Sequence, residues 1–307
     1  MFPIVPLLIS VSVLGSVYIS QSESFRSLDS LSFKVDNNLY LNNYLVMPQD
    51  KSPEFIGGET LVLQASSAIV TNELTLHPLF SWEANSVRPI ASLTKLMTAL
   101  TVLDNYDINW DKKITIIEAD RREGSKQNIF VGDELSLRDL FIIGLMASDN
   151  DAIIALIRGL GVSEEDFVLA MNQRAKHYRL FSASFSEPTG LSSANQSSAF
   201  DVAKLASLAF KRAEIKEALS LTAYEITDSK GSVKRLISTN VLLREGSKEG
   251  LIVGKTGHIS LAGYCFAGLY SKNGNDIITV VLGAHTQLSR FSESEELAHW
   301  VYSSYNW

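Results

Sequence analysis

Ser92 and Lys95 lie three residues apart in the segment PIASLTKLMTAL, residues 89–100. Leu96 and Leu100 recur at helical spacing, so we expect a helix that begins near Ser92, buries this apolar face and carries Ser92 and Lys95 on one side. The start of a helix offers backbone N–H groups and the positive end of a dipole, which suit a developing negative oxygen. The pattern fits a nucleophile with its base, and equally a serine cap followed by a surface lysine.

Two further polar motifs follow along the chain. Residues 147–151, ASDND, separate two apolar segments, so Ser148 and Asn150 must leave the core; alone, this run would indicate an ordinary turn between helices. Residues 254–258, GKTGH, end a predicted strand, and alone they would indicate an edge lysine beside a glycine bulge. Only the combination of the two motifs with Ser92 points to a site.

The elements that must position these motifs change from strands to helices and back to strands. Strands are predicted at 60–70 and 78–82, helices at 137–147, 151–160, 163–179 and 198–212, and strands at 224–227, 232–238, 252–256, 262–270 and 277–284. Ser136 and Asp139 indicate a capping box, and Ser292 is predicted to cap a final helix. Asn273-Gly274 indicates a hairpin turn. Strands at both ends around a helical insert imply one sheet built from remote segments.

The order Ser-x-x-Lys, Ser-Asp-Asn, Lys-Thr-Gly is that of penicillin-binding proteins and class A β-lactamases. With GDEL at 132–135, FSEPTGL at 185–191 and KTGHISLAGYC at 255–265, the chain resembles the low-molecular-mass penicillin-binding proteins of the D-alanyl-D-alanine carboxypeptidase family of serine peptidases from about residue 63 onward. The resemblance implies an α+β fold, the transpeptidase fold. In it an antiparallel sheet is flanked by helices, and an all-helical subdomain, here roughly 104–215, is inserted between strands.

The chemistry of acyl transfer explains the first two motifs. Without a histidine partner, the base for Ser92 is Lys95 in its neutral form, which requires a depressed pKa. Burial and a second cation such as Lys255 both act in that direction. Ser148 can relay a proton to the leaving amine, because a hydroxyl both donates and accepts. Asn150 offers its amide to the substrate backbone and to Lys95.

The remaining candidate residues would bind substrate, and they are Lys255, Thr256, Gly257, His258 and Arg290. A lysine and a hydroxyl can hold a carboxylate, and a glycine lets substrate run close along a strand edge. The family's arrangement implies an oxyanion hole made by the backbone N–H groups of Ser92 and His258. Arg290 is either a partner for a terminal carboxylate or a surface or helix-cap arginine. The family commonly has threonine where this chain has Ile259, which puts substrate contacts there in doubt.

Composition excludes several other classes of protein. The chain has 307 residues, 46% of them hydrophobic and 20% charged, enough for one large domain or two small ones. Its net charge of -7 argues against nucleic-acid binding. Cys265 is the single cysteine, so no internal disulfide forms, and the five histidines lack ligand spacing. We therefore predict no metal and no cofactor.

The N-terminal segment indicates export. Residues 3–20, PIVPLLISVSVLGSVYIS, carry no charge, which predicts either a signal peptide or an uncleaved membrane anchor over residues 1–22. We expect residues 23–58 to form a polar tether and residues 59–307 to form a catalytic domain that resembles the family's catalytic domain alone, without the β-rich domain and tail helix of better-known members. In either case the body of the protein should lie outside the cytoplasmic membrane, and an uncleaved segment would be its membrane contact.

The predicted function is therefore a serine-type D-Ala-D-Ala carboxypeptidase acting on peptidoglycan stem peptides, with β-lactams as covalent inhibitors. The alternative is a D,D-endopeptidase that cleaves peptidoglycan crosslinks. A β-lactamase would need a Glu-x-x-Leu-Asn run between the second and third motifs, and Glu164, Glu165 and Glu187 form none. A membrane-tethered protein that binds without catalysis would have no reason to keep a buried lysine beside Ser92.

Overall fold

The computed structural model describes residues 53–122 and 127–307. The helices are α1 (Thr94–Asn105), α2 (Leu137–Met146), α3 (Asn150–Leu160), α4 (Glu164–His177), α5 (Ala199–Phe210), α6 (Ala213–Ser220), α7 (Val241–Glu245) and α8 (Ser289–Ser304). The strands are β1 (Glu54–Phe55), β2 (Ser67–Asn72), β3 (Pro78–Trp82), β4 (Arg88–Pro89), β5 (Lys113–Thr115), β6 (Glu134–Ser136), β7 (Gln196–Ser197), β8 (Ala223–Thr227), β9 (Val233–Ile237), β10 (Leu251–Ile259), β11 (Gly263–Lys272), β12 (Asn275–Ala284) and β13 (Tyr305–Asn306).

The segment predicted to be a signal peptide or anchor, and the tether up to residue 52, lie outside the described residues. Within the two described ranges, no helix is both long enough and apolar enough to cross a membrane. Most of the predicted catalytic domain is described, so its architecture can be compared with the expectation.

The central sheet joins remote parts of the chain. Its five strands lie in the order β10-β11-β12-β2-β3, and every neighbouring pair is antiparallel. The Asn273-Gly274 turn connects β11 to β12, with Lys272 opposite Asn275. The prediction of one sheet built from remote segments is therefore confirmed. The strands predicted near the C-terminus of the chain, β10 to β12, are confirmed as well.

Both faces of the sheet are covered by helices. Along β12, Ile278 and Val280 belong to the core shared with α5 and the other helices, whereas Ile277 and Val281 pack with α8. Side chains alternate across a strand, so a strand that is apolar on both faces must lie between two layers. The result is a helix–sheet–helix sandwich with α8 as one outer layer.

The helices between the strands form the rest of the core. Helix α1 packs against α4 and α5, and α2 packs against α3 and α6. Helix α5 lies directly on β2, β11 and β12, although the predicted helical subdomain, 104–215, included it. Helix α6 was not predicted, because it is only eight residues long.

Local sequence patterns predicted the start of α2 correctly and the start of α8 incorrectly. Ser136 Oγ accepts from the backbone N of Asp139, whose carboxylate accepts from the backbone N of Ser136, so the predicted capping box is confirmed. The predicted start of the last helix at Ser292 is wrong. That helix begins at Ser289, where reciprocal bonds between the backbone N and hydroxyl groups of Thr286 and Ser289 order the preceding turn.

Candidate active site

The predicted nucleophile lies in a tight turn at the start of α1. Ser92 is the middle residue of a 3₁₀ turn, Ala91–Leu93, that runs directly into the helix. Ala91 has a φ of 49°, a left-handed conformation that costs about 1–3 kcal/mol in a residue with a side chain. Leu96 and Leu100 are buried, so the predicted apolar face anchors the helix in the core. The half-buried Ser92 is thus held rigidly.

Lys95 is buried directly beneath Ser92. Its exposed fraction is 0%, and its Nζ lies 3.1 Å from Ser92 Oγ, 2.6 Å from Asn150 Oδ1 and 2.7 Å from the carbonyl oxygen of Thr189. Burial lowers the pKa of Lys95 to about 7, against the opposing attraction of the Glu187 and Asp149 carboxylates. A neutral amine in contact with a serine hydroxyl can accept its proton.

The second motif lies between α2 and α3 on the opposite wall. Ser148 has a φ of 58°, so the turn is strained where its hydroxyl enters the cleft. Asp149 caps α3 by accepting from the backbone N of Ala152 at 2.9 Å, and this cap fixes Asn150 in the first turn. Burial raises the pKa of Asp149.

The third motif lies on β10. Lys255 is 1% exposed, and its Nζ donates to Ser148 Oγ at 2.7 Å and to the carbonyl oxygen of Thr256 at 2.9 Å. Burial lowers the pKa of Lys255 well below its usual value, and the nearby cations Lys95 and Arg290 lower it further. The Thr256 hydroxyl shares a 2.7 Å hydrogen bond with the hydroxyl of Thr239.

Two glycines allow backbone to approach the nucleophile turn. A Cβ at Gly257 would lie 3.1 Å from the backbone N of Ser92, so β10 passes closely beside this N–H group. Gly190 has a φ of 89°, and a Cβ there would lie 2.1 Å from the carbonyl oxygen of Ala91. Any larger residue at Gly190 would displace the turn that carries Ser92.

Arg290 is neither a surface residue nor a helix cap. It is 5% exposed, lies in the first turn of α8, and donates to the carbonyl oxygen of Gly257 at 3.1 Å. Its guanidinium packs over the rings of Tyr264 and Phe291, and burial lowers its pKa to about 10. The imidazole of His258 stacks on the same Tyr264 ring at 4.1 Å.

These walls enclose a cleft of about 440 Å³. Of the predicted site residues, those that line it are Ser92, Ser148, Asn150, Thr256, Gly257, His258 and Arg290. Lys95 and Lys255 lie beneath its floor. Arg244 adds a further cation, and among the described residues no carboxylate lines the cleft. A chain of net charge -7 thus has a cleft that favours anions.

Several residues around the site were not among those predicted. Thr189 provides the carbonyl oxygen that accepts from Lys95, and Glu187 and Asn195 order the loop around it. Thr239 and Asn128 line the cleft. The FSEPTGL segment was noticed as part of the resemblance, but a backbone carbonyl carries no side-chain signal by which its role could have been found.

The structure shows where Ile259 lies relative to the cleft, and where Glu164, one of the glutamates compared with the β-lactamase pattern, lies. Ile259 packs against the core and does not line the cleft, whereas the preceding residue on this strand, His258, does line it. Glu164 forms an ion pair with Arg122 at the start of α4, outside the cleft. In the described part of the chain, no group of three or more His, Cys, Asp or Glu side chains is placed to hold a metal ion.

The fold is that of the DD-peptidase penicillin-binding proteins. It matches the structure of penicillin-binding protein D2 from Listeria monocytogenes in its cefotaxime-bound form, with a TM-score of 0.70 and 33% identity over 80% of this chain and 99% of that one. A serine hydroxyl beside a buried lysine is in keeping with the class of serine peptidases.

The chain belongs to the D-alanyl-D-alanine carboxypeptidase family, whose model matches residues 56–286. It is 29% identical to the D-alanyl-D-alanine endopeptidase of Escherichia coli, over 78% of this chain and 77% of that protein. It is 30% identical to the D-alanyl-D-alanine carboxypeptidase DacF of Bacillus subtilis, over 80% of this chain and 64% of that protein. The predicted family, fold and enzyme class are confirmed.

Proposed function

We propose that this protein hydrolyses the D-Ala-D-Ala bond of peptidoglycan stem peptides through an acyl-enzyme on Ser92, with Lys95 as the base. The observation that carries the proposal is the 3.1 Å contact between Lys95 Nζ and Ser92 Oγ, together with the pKa of about 7 that burial imposes on Lys95. At neutral pH a substantial fraction of this amine is unprotonated and can accept the hydroxyl proton.

Acylation begins when Lys95 takes the proton of Ser92 Oγ and the oxygen attacks the scissile carbonyl carbon. The developing oxyanion is stabilised by the backbone N–H groups of Ser92 and His258. Support for this placement comes from Gly257, whose Cα lies so close to the Ser92 backbone that a Cβ would come within 3.1 Å of its N atom. The C–N bond then breaks and leaves an ester on Ser92.

The leaving amine needs a proton, and Ser148 can supply it. Ser148 Oγ donates to the amine and is reprotonated by Lys255, whose Nζ lies 2.7 Å away and whose charged form the bound substrate carboxylate favours. Once the amine has left, water enters the cleft. Lys95 releases to it the proton that it took from Ser92, and Lys255 takes up a proton in place of the one it gave to Ser148, so that both amines return to their starting state. In the second half-reaction, a water molecule gives a proton to the neutral Lys95 and attacks the ester carbon. When the bond to Ser92 Oγ breaks, Lys95 returns this proton to Oγ, which restores the hydroxyl and releases the shortened peptide.

The terminal carboxylate of the substrate fits the cationic wall of the cleft. Thr256 offers a hydroxyl, and a carboxylate bound beside it would favour the charged form of the buried Lys255. Arg290, from the first turn of α8, also lines the cleft beside β10. Its Nε is buried and has no hydrogen-bond partner in the described part of the chain. A buried donor that lacks an acceptor favours an anionic ligand.

Endopeptidase action on crosslinks is the second candidate. It is favoured by the similarity to the E. coli D-alanyl-D-alanine endopeptidase, of which the chain covers 77%. The same acylation step serves both reactions, because only the leaving group differs: a single D-amino acid in one, a second stem peptide in the other. The cell wall as site of action follows from both candidates, and we propose the N-terminal segment as the membrane contact.

Labelling with a fluorescent penicillin tests the nucleophile. The wild type should form a stable covalent adduct, and Ser92→Ala should form none while its thermal midpoint stays within about 2 °C of the wild type. Ser289→Ala, a serine outside the cleft, serves as the control and should label normally. An adduct on the Ser92→Ala protein would contradict the proposal.

Product analysis separates the two candidate reactions. The protein is incubated with a pentapeptide stem and, separately, with crosslinked muropeptides, and the masses of the products are measured by mass spectrometry. Loss of one alanine from the pentapeptide supports the carboxypeptidase. Conversion of crosslinked dimers to monomers with no loss of alanine would instead establish the endopeptidase.

A further inference from the structure

Residues 186–195, here called the 186–195 loop, lie against the turn that carries the nucleophile. The loop is followed by β7, which pairs with β4, the short strand that precedes the turn of Ser92. The backbone N of Ile90 donates to the carbonyl oxygen of Asn195 at 3.1 Å, and Thr98 Oγ1 donates to that of Pro188 at 2.6 Å. The loop is thus attached to the segment on both sides of Ser92 and Lys95.

The carboxylate of Glu187 holds this loop together. One oxygen accepts from the backbone N and the hydroxyl of Thr189, at 2.7 and 2.5 Å. The other accepts from the backbone N of Gly190 at 2.6 Å and from Asn195 Nδ2 at 2.7 Å. Both oxygens are therefore filled by donors, as an ionised carboxylate can accommodate and a neutral side chain cannot.

Asn195 continues the same network to the helix of the base. Its side chain is fully buried, and its Nδ2 also donates to Thr94 Oγ1 at 3.2 Å. Thr94 is the residue before Lys95. Asn195 Oδ1 accepts from the backbone N of Ser186 at 2.7 Å, so both the nitrogen and the oxygen of the Asn195 amide form hydrogen bonds.

The loop presents one acceptor to Lys95. The Thr189 carbonyl oxygen lies 2.7 Å from Nζ, and the two hydrogen bonds from Thr189 to Glu187 fix the peptide unit that carries it. Since the loop does not reach the cleft wall except at Leu191, Glu187 can affect the reaction only through its neighbours.

We propose that Glu187 is a positioning residue for Lys95: its carboxylate fixes the Thr189 peptide unit, whose carbonyl oxygen accepts from the amine, and it places a negative charge near that amine. The proposal rests on the proposed role of Lys95 in acylation. The 186–195 loop belongs to none of the three motifs, and the proposal gives it a function in the reaction.

The charges that surround Lys95 define the expected direction. Glu187 and Asp149 favour its protonated form, with Glu187 the stronger of the two. Repulsion between Lys95 and Lys255 opposes it. Burial opposes the charge most strongly and brings the pKa to about 7. Removal of the Glu187 charge therefore moves the protonation midpoint of Lys95 to lower pH.

The experiment measures the rate of acylation by a penicillin between pH 5 and 9 for wild type, Glu187→Gln and Glu187→Ala. Two charge-removing variants are used because they disturb the loop differently. In Glu187→Gln the amide nitrogen must face donors of the loop, whereas in Glu187→Ala water can enter the half-buried position. Thr98→Val is the matched control, since it removes another tie to the loop without changing the charge. A parallel series carries His258→Gln, so that titration of this imidazole is separated from that of Lys95.

The acidic limb of the wild-type profile should have its midpoint near 7, and in both Glu187 variants it should move down by roughly half to one pH unit. The rate at the optimum should fall about tenfold as the carbonyl loses its support. The ratio of variant to wild-type rate therefore rises as the pH falls. Thr98→Val should lower the rate and leave the midpoint in place.

An unchanged midpoint in folded Glu187 variants would overturn the proposal, whatever their rates. Failure of both variants to fold, seen by circular dichroism, would also overturn it, because Glu187 would then serve the loop and not Lys95. A wild type that no penicillin acylates would refute the proposed function itself, and this result is visible before any variant is made.

Discussion

The cleft contains two buried lysines whose surroundings differ in sign. Lys95 has two carboxylates nearby, Glu187 and Asp149, whereas Lys255 has two cations, Lys95 and Arg290. Burial lowers the pKa of both, but the carboxylates partly restore the pKa of Lys95, to about 7. The carboxylates thus give Lys95 a counter-charge within the protein, whereas Lys255, flanked by cations, gains its counter-charge when an anionic substrate group binds.

The hydrogen bonds of the two lysines differ in the same way. Lys95 donates to Ser92, Asn150 and the carbonyl oxygen of Thr189, so its Nζ has three protein acceptors. Lys255 donates to Ser148 and the carbonyl oxygen of Thr256. We infer that Lys95 exchanges protons with the nucleophile, and that Lys255 binds anionic substrate groups and reprotonates Ser148.

The largest effect is expected from Lys95→Arg. An arginine stays charged at any working pH and cannot accept a proton, so acylation by penicillin should fall about 10³-fold, as far as in Lys95→Ala. Stopped-flow acylation measures this. Lys211→Arg, on the exposed side of an ion pair with Glu73, is the control and should react normally. Preserved acylation in Lys95→Arg would show that Lys95 is not the base.

A smaller loss should follow from Lys255→Gln. The variant removes the cation from the anion-binding wall and the donor to Ser148, so kcat/KM for a peptide substrate should fall about 10²-fold. The acidic limb should remain, because Lys95 is intact. Lys204→Gln, a lysine bound to the carbonyl oxygen of Arg179, is the control. An equal loss with an amide-capped peptide would argue against carboxylate binding by Lys255.

Asp149→Asn should shift the pH profile by less than the Glu187 variants. The carboxylate of Asp149 favours protonated Lys95, so its removal moves the acidic midpoint to lower pH, and activity below pH 7 rises relative to the optimum. Asp151→Asn, two residues further on and paired with Arg121, removes the same charge as a control and should leave the midpoint unchanged. A shift to higher pH in Asp149→Asn would contradict this electrostatic account.

The smallest effect is expected from Thr239→Val. Thr239 shares a hydrogen bond with the Thr256 hydroxyl, so its loss should raise KM about threefold with kcat nearly unchanged. Steady-state kinetics on the pentapeptide measure both constants. Thr75→Val, in an exposed turn, is the control. A large fall in kcat would place Thr239 in the proton path instead of the substrate wall.

The sequence predicted those parts of the fold that depend on local patterns. The apolar periodicity of α1 and the continuous apolar runs of β11 and β12 reflect burial in the core. The Ser136 capping box and the Asn273-Gly274 turn depend on local contacts. The last helix was misplaced because both Ser289 and Ser292 look like caps, and only the bonds to Thr286 decide between them.

The site was predictable where side chains carry the chemistry and not where the backbone does. The three motifs contained the residues that meet in the cleft. The Thr189 carbonyl, the close approach of Gly190 to Ala91 and the burial of Arg290 depend on contacts across 94 or more positions of the chain or on packing, which no local pattern encodes. The two interpretations of Arg290 could be separated only by its position under Tyr264.

The central sheet takes β2 and β3 from the start of the described chain and β10 to β12 from its end. A ribosome must therefore finish nearly the whole polypeptide before the wall that carries Lys255 can pair with its neighbours. A hydrolase assembled in this way is inert throughout its own synthesis, and reaction with a penicillin reports that folding is complete.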